Sequence, residues 1–377
     1  MDFSLTEEQI MLKDSVSRFL ADNYSHEQRR ALIQQPALAE KNWAQFADLG
    51  WLSIPFSEEQ GGFGGNIVDL ATVMEEFGKT LVVEPFWSTV VLAGQLIARG
   101  SNLAVQQNLL PKIIAGQSQV SFAWQEHNGG AALNYVSTEA SKNGSSYLLS
   151  GEKTLVMNAA ADVFLISARS SGNVDDAAGI DLFQVSASHP KLQRETVRLM
   201  DGHSAVNLRF EDLELSEADR ISDAGDAYGL INDVVNEALV ALCAEAIGAM
   251  EYLYKATAEY ANTRQQFGVA IGKFQALQHR MVDMFMATEQ CRSLLVRAQC
   301  SLLDKSSAAE QDIAALKSMV GKYGRKVAEE AVQLHGGMGV TNEMPIGDYM
   351  KRLMMIDSYF GNAALHRRRF CELRYAS

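Results

Sequence analysis

The sequence predicts an α+β protein: an N-terminal helical domain (residues 1–117), a middle β domain (118–225) and a C-terminal helical domain (226–377). Three observations carry this division. Apolar residues recur at helical spacing near the start of the chain. Short apolar runs between turn residues occupy the middle. Long amphipathic stretches over 228–263, 274–304 and 307–334 fill the rest.

The elements follow in order. Thr6 with Gln9 three residues on has the signature of a capping box. Ile10, Leu12, Val16, Phe19 and Leu20 then form an apolar stripe, and residues 39–50, around Trp43 and Phe46, repeat that character. The segment from Pro55 ends in Gly61-Gly62-Phe63-Gly64-Gly65 and reads as a loop. Helical pattern resumes from Val68 to Phe77 and returns between Leu92 and Ile114. In the middle, Val163–Ile166 and Ala205–Phe210 read as strands. Asn143-Gly144 and Ser150-Gly151 read as turns on either side of Ser145–Leu149. The last long helix breaks at Gly336-Gly337.

Composition narrows the function. The chain has 377 residues, 47% of them hydrophobic, enough for a large core and two or three subdomains. A net charge of −13 argues against nucleic acid or an anionic membrane as a partner. An anionic ligand would need a local cationic pocket. The four cysteines show no metal-ligand spacing and read as reduced thiols of a cytoplasmic protein. The N-terminus is acidic and lacks a long apolar run, so it does not read as a signal peptide. No stretch is long and apolar enough to span a bilayer.

Two segments carry the most chemistry. Arg264-Gln-Gln-Phe267-Gly268 places a guanidinium beside an aromatic ring at a helix end. Gln333-Leu-His-Gly336-Gly337-Met-Gly339 lets the backbone approach something bulky, because glycine has no Cβ. An arginine fork beside open backbone suits a pyrophosphate. In this order and spacing, the two segments resemble the nucleotide-binding half of an acyl-CoA dehydrogenase, a flavoprotein family. The run from Arg264 to Asp283 is the most similar part. Phe3–Gln9, Gly50–Gly65 and Leu199–Leu213 add weaker likenesses, so the resemblance spans essentially the whole chain.

The resemblance implies the acyl-CoA dehydrogenase fold, with a middle β-barrel-like domain and a C-terminal four-helix bundle. It also implies FAD as cofactor and an acyl-CoA as substrate. Arg264, Phe267, Gln275, Gln333, Gly336 and Gly337 would bind the ADP half of the FAD of a neighbouring subunit. An electron-transfer flavoprotein would accept the electrons. The structural alternative is a surface arginine paired with an acid and a simple helix break. That alternative requires the two motifs to co-occur by accident.

Other family features are absent. The family's base is a glutamate, where this chain has Phe360, which cannot accept a proton. A second base position used by some members falls at Ala238, equally inert. Glu237, one residue away, is the candidate displaced base; its simpler reading is a solvated surface acid. The first flavin segment, normally Thr-Glu-Pro, is Gln125-Glu126-His127. The second, normally Trp-Ile-Thr-Asn, is Leu155-Val156-Met157-Asn158. The Gly-Thr after the base is Gly361-Asn362, and a customary arginine is Leu239.

These losses fall on one side. The chain keeps what it would offer to a neighbour's FAD and lacks most of what it would use on its own. This pattern predicts the non-catalytic subunit of a heteromeric acyl-CoA dehydrogenase, similar to the small subunits of pimeloyl-CoA or steroid-type enzymes. Its partner would be a second related subunit, or itself as a dimer or tetramer. The alternatives are a homomeric enzyme using Glu237 or Asp357 as base, and a flavin-free scaffold. A large apolar interface is expected on the helices from Leu316 to Met338. The basic run His366-Arg367-Arg368-Arg369 reads first as a solvated helix end.

Overall fold

The computed structural model describes residues 4–375. Phe3 of the opening motif lies outside them. Helices α1 (Glu7–Asn23), α2 (His26–Gln34), α3 (Pro36–Asp48) and α4 (Ile67–Thr80) open the chain. A π-helix (Trp87–Gly94) runs into the short α5 (Gln95–Ala98), and α6 (Leu103–Ile114) follows. Seven strands come next: β1 (Val120–Ala123), β2 (Glu139–Asn143), β3 (Ser146–Met157), β4 (Val163–Arg169), β5 (Ile180–Ser186), β6 (Leu192–Arg198) and β7 (Ser204–Ser216). The 37-residue α7 (Ala227–Thr263) leads to the tiny strands β8 (Gln265–Gln266) and β9 (Val269–Ala270). Helices α8 (Gln275–Leu303), α9 (Ala309–His335), α10 (Ile346–Ser358) and α11 (Ala363–Tyr375) complete it.

These elements sort into two compact units. The mixed unit comprises Gln35–Asn66 and Val83–Ala238; the helical unit comprises the residues up to Gln34, Ile67–Val82 and everything from Leu239 on. The mixed unit is built on a seven-stranded sheet of order β1-β4-β2-β3-β7-β6, with β5 on the other side of β4. β1 runs parallel to β4, while β2–β3, β3–β7, β6–β7 and β4–β5 are antiparallel. One face buries Tyr147, Leu149, Phe164, Phe183, Leu208 and Phe210. Burying a side chain of this size stabilises by about 1.5–3 kcal/mol.

The sheet corrects one sequence expectation. Asn143 pairs with Ser146 across a two-residue turn, as anticipated. Ser150-Gly151 is not a turn, because β3 continues through it to Met157. β7 pairs with β3 on both sides of this point, and the register shifts between Leu149 and Gly151. The residues make a bulge, which bends a strand without ending it.

In the helical unit, α9 packs on α8, α10 and α11. The capping box at Thr6 is formed: Gln9 N donates to Thr6 Oγ1 at 3.2 Å, and Thr6 N donates to Gln9 Oε1 at 3.0 Å. Charged side chains of this unit pair across helices. Arg352 donates to both carboxylate oxygens of Glu245, at 2.6 and 2.8 Å. Arg292 donates to Glu75 at 2.5 Å and to Glu251 at 2.7 Å. The apolar surface expected on the helices from Leu316 to Met338 is not there. No large hydrophobic residue in that range is exposed; exposed ones in the C-terminal helices include Val282, Phe285 and Met286 on α8 and Leu373 on α11. α9 spends its apolar stripe on the packing against its neighbours, so little remains for solvent. All four cysteines are free thiols, and no described helix is long and apolar enough to cross a membrane.

Candidate flavin-binding site

The helical unit displays the nucleotide-type residues outward. After α7 the chain folds back as the β8–β9 hairpin, whose tip is Phe267-Gly268. Both tip residues have positive φ, 53° and 79°. That pairing matches the twist of a two-residue hairpin. Glycine adopts it freely, whereas phenylalanine does so at a cost of about 1–2 kcal/mol. Ile271 N closes the hairpin by donating to Arg264 O at 2.9 Å. Phe267 is 92% exposed and meets the edge of Phe274, with ring centroids 6.2 Å apart.

Arg264 and Gln275 are exposed beside this tip. The Arg264 guanidinium has no ion pair or hydrogen bond among the described residues. α9 ends at His335, and Gly336 follows with φ 60° and ψ −137°, a region open essentially to glycine alone. A Cβ at Gly336 or Gly337 would meet nothing within 4 Å, so the backbone there faces open space. Gln333 is exposed on the preceding turn. The two motifs are joined at their roots. Tyr260, whose carbonyl accepts from Arg264 N at 2.9 Å, stacks on His335 with ring centroids 4.4 Å apart. An unpaired guanidinium, a presented aromatic ring and bare glycine backbone on one unit fit the ADP half of FAD.

The position of the usual base is closed. Phe360 is 5% exposed and also left-handed, with φ 51°. Its carbonyl accepts from His366 Nε2 at 2.9 Å. The fully buried Lys317 donates to the carbonyls of Asp357 at 2.8 Å and Gly361 at 2.9 Å. Burial, reinforced by the Lys317 ammonium, holds His366 down to about 4, so it stays neutral. Asp357, the other acid weighed as a base, accepts from Ala363 N at 2.9 Å and so caps α11.

In the mixed unit, Ala238 is fully buried, and its carbonyl accepts from Trp87 Nε1 at 2.8 Å. Glu237 is not a free surface acid. Arg99 clasps it with two nitrogens, one at 2.7 Å from Oε1 and the other on Oε2. A bidentate pair of this kind is strong and oriented. Glu237 cannot act as a base without giving up Arg99.

The two segments that resemble the family's flavin-ring segments are joined through the backbone. Gln125-Glu126-His127 follows β1, and Leu155–Asn158 ends β3. Thr154 N donates to Gln125 O at 2.8 Å and ties them together. Leu155 is left-handed, φ 50°, with its N–H donated to Asn207 Oδ1 at 3.0 Å. Glu126 points inward. It accepts from Thr138 N at 3.0 Å, Ser137 N at 2.7 Å and the fully buried Lys153 at 2.7 Å. Burial pulls the Lys153 ammonium down to about 8 against the attraction of Glu126. Burial alone would raise Glu126, but Lys153 and the Ser137 bonds bring its carboxyl below the usual range. This scaffold pair was not anticipated. No sequence signal marks it: Lys153 stands in β3 beside Glu152 and Thr154 like any solvent-facing strand residue.

Comparison with known proteins agrees with the fold. Three family descriptions match in succession: "Acyl-CoA dehydrogenase, N-terminal domain" at residues 6–117, "middle domain" at 121–213 and "C-terminal domain" at 228–372. The chain belongs to the acyl-CoA dehydrogenase family, a family of FAD-binding oxidoreductases. It is 29% identical to L-prolyl-[peptidyl-carrier protein] dehydrogenase of Serratia sp., over 91% of this chain and 90% of that one. It is 26% identical to a short-chain specific acyl-CoA dehydrogenase of Clostridium acetobutylicum, over 97% and 98%. Among solved structures, the FAD complex of PigA superposes with a TM-score of 0.92 at 26% identity, covering 99% of this chain and 100% of that one. The ChsE4-ChsE5 complex from Mycobacterium tuberculosis gives 0.89 at 26% identity, covering 100% and 99%.

Proposed function

We propose that this chain is the non-catalytic subunit of a heteromeric, FAD-dependent acyl-CoA dehydrogenase. Arg264, Phe267, Gln275, Gln333, Gly336 and Gly337 hold the ADP half of an FAD whose ring lies on a related partner subunit. The partner also supplies the carboxylate base. When bound, FAD accepts the hydride that leaves the β-carbon of the acyl thioester. This chain's share is to bind and orient. Arg264 neutralises pyrophosphate charge, Phe267 covers the nucleotide, and the open backbone at Gly336-Gly337 allows close approach. An electron-transfer flavoprotein is the electron acceptor, and the cytoplasm is the compartment.

One observation carries this reading: the ADP-type residues are exposed and the Arg264 guanidinium is unpaired among the described residues, while every candidate base position is occupied by structure. Ala238 and Phe360 are packed away, Glu237 is clasped by Arg99, and Asp357 caps a helix. That a solved relative is the two-component ChsE4-ChsE5 complex supports the heteromeric form.

The test is an anaerobic visible spectrum of the purified chain, before and after a panel of acyl-CoAs. A colourless protein, or a flavin that never bleaches, is expected. Bleaching by the chain alone would overturn the proposal in favour of a homomeric enzyme with its own base. A flavin-free scaffold would instead show no flavin even beside its partner.

A further inference from the structure

Helix α2 supplies no residue to the proposed site, yet it grips the segment that leaves the glycine turn. His26, Arg29 and Arg30 are spaced i, i+3 and i+4, which puts them on one face of the helix. His26 Nε2 and Arg30 Nη1 both donate to the carbonyl of Asn342, at 3.3 and 3.0 Å. Because the acceptor is a carbonyl, Nε2 of His26 carries the hydrogen. Arg29 is buried, donating from Nε to Leu81 O at 2.9 Å and from Nη1 to the Asp348 carboxylate at 3.3 Å. α2 thus holds Asn342 and Asp348, on either side of Pro345. Its footing is shared: Tyr349, beside Asp348, donates to Lys79 O at 2.5 Å, so the end of α4 receives both α2 and the first turn of α10.

The segment held this way is the exit of the short turn Gly336–Val340. Gly336 and Gly337 have open space where a side chain would stand, so no side-chain packing of their own fixes them. The turn is fixed from its two ends instead. At the entrance, His335 stacks on Tyr260, and Gly339 lies so close to α9 that a Cβ would come within 2.8 Å of Val332 O. At the exit, Thr341 N donates back to Met338 O at 3.3 Å, and the next carbonyl is the one that α2 takes up. Backbone offered bare to a ligand keeps its shape only if the residues around it hold it.

We propose that His26 and Arg30 are positioning residues for the cofactor: by holding Asn342 they fix the open backbone at Gly336-Gly337 in the shape that receives the nucleotide. The proposal rests on the reading of this turn as an ADP-binding element. It adds that α2, near the other end of the chain, sets how tightly the FAD is retained.

Two measurements test it. Hydrogen exchange on the full chain, read by mass spectrometry, follows the amides from Gly336 to Thr341 without any flavin. The double variant His26→Ala/Arg30→Ala should exchange there about tenfold faster than wild type, the effect of losing the bonds to one carbonyl. Arg30→Lys, whose ammonium still donates, should stay near wild type, and Arg264→Ala should leave exchange in this turn unchanged. FAD retention is then measured in the complex with a base-bearing subunit, by flavin fluorescence released on dilution. The double variant should hold FAD about tenfold more weakly, and Arg30→Lys should restore most of the loss. Unchanged exchange in the double variant would overturn the proposal. So would faster exchange with undiminished FAD retention, if Arg264→Ala does weaken retention; the nucleotide-site reading would then stand alone. If neither Arg264→Ala nor the double variant affects FAD, the reading and the proposal fall together.

Discussion

Phe267 and Phe360 make an instructive pair. Both hold left-handed backbone, at φ 53° and 51°. Phe267 is 92% exposed on a hairpin tip, whereas Phe360 is 5% exposed beneath a buried lysine and a neutral histidine. The same local strain therefore has two different settings. At Phe360 the surrounding packing and carbonyl bonds hold the conformation in place. At Phe267 the β8–β9 hairpin bonds hold the turn while the ring itself stays in solvent, as a group presented to an outside contact would. On the proposed reading, the exposed end would meet a nucleotide on another subunit, while the position at Phe360 is core.

The largest way to break this comparison is to put the base back. Phe360→Glu should destabilise the chain by about 3 kcal/mol, because it buries a polar group that packing has no room to satisfy. Urea unfolding would show the loss, and acyl-CoA should still bleach no flavin. A stable, bleaching variant would mean that the base end is intact after all.

His366 probes the same region through pH. Its folded value near 4 lies below the ordinary 6.5, so it binds its proton less readily in the native state. It contributes stability above pH 6.5, and that contribution is lost as pH falls through 4. The loss should amount to about 3 kcal/mol. Unfolding free energies measured across this range should fall with acid in wild type and much less in His366→Gln.

At the exposed end the expectations reverse. Arg264→Ala should leave the stability of the isolated chain within about 0.5 kcal/mol of wild type. In the assembled complex it should weaken FAD retention by about 1.5–3 kcal/mol, the value of a hydrogen bond to a charged group. Flavin fluorescence released on dilution would report it. The smallest effect sharpens the comparison most. Phe267→Gly relieves the left-handed strain and should stabilise the isolated chain by up to about 1 kcal/mol, while Phe360→Gly should destabilise it. Thermal melts of both variants decide the matter, and a loss at both positions would contradict the contrast drawn between them.

Much of the fold was legible from periodicity. The long stretches 228–263, 274–304 and 307–334 fall within two residues of α7, α8 and α9. Helices of this length announce themselves because many turns repeat one apolar face. Ser150-Gly151 misled because a Ser-Gly pair serves a bulge as readily as a turn, and only the pairing of β3 with β7 separates the two. The interface expected on α9 failed for a similar reason. An apolar stripe does not say whether its partner belongs to the same chain. Of the site, the outward-facing residues came from short contiguous motifs. The inward ones did not: Lys153 with Glu126, Lys317 beneath Gly361, and Arg99 on Glu237 join residues far apart in sequence. No spacing rule links such pairs before the chain is folded.

The central claim is that this chain completes a flavin site on another subunit. The most direct test is to co-express it with a base-bearing acyl-CoA dehydrogenase subunit, purify the complex, and count FAD per chain pair by absorbance. The account predicts one FAD per heterodimer, bleached by acyl-CoA under anaerobic conditions, and lost when Arg264→Ala is introduced into this chain alone. Two FAD per heterodimer, or a flavin content indifferent to Arg264→Ala, would contradict it.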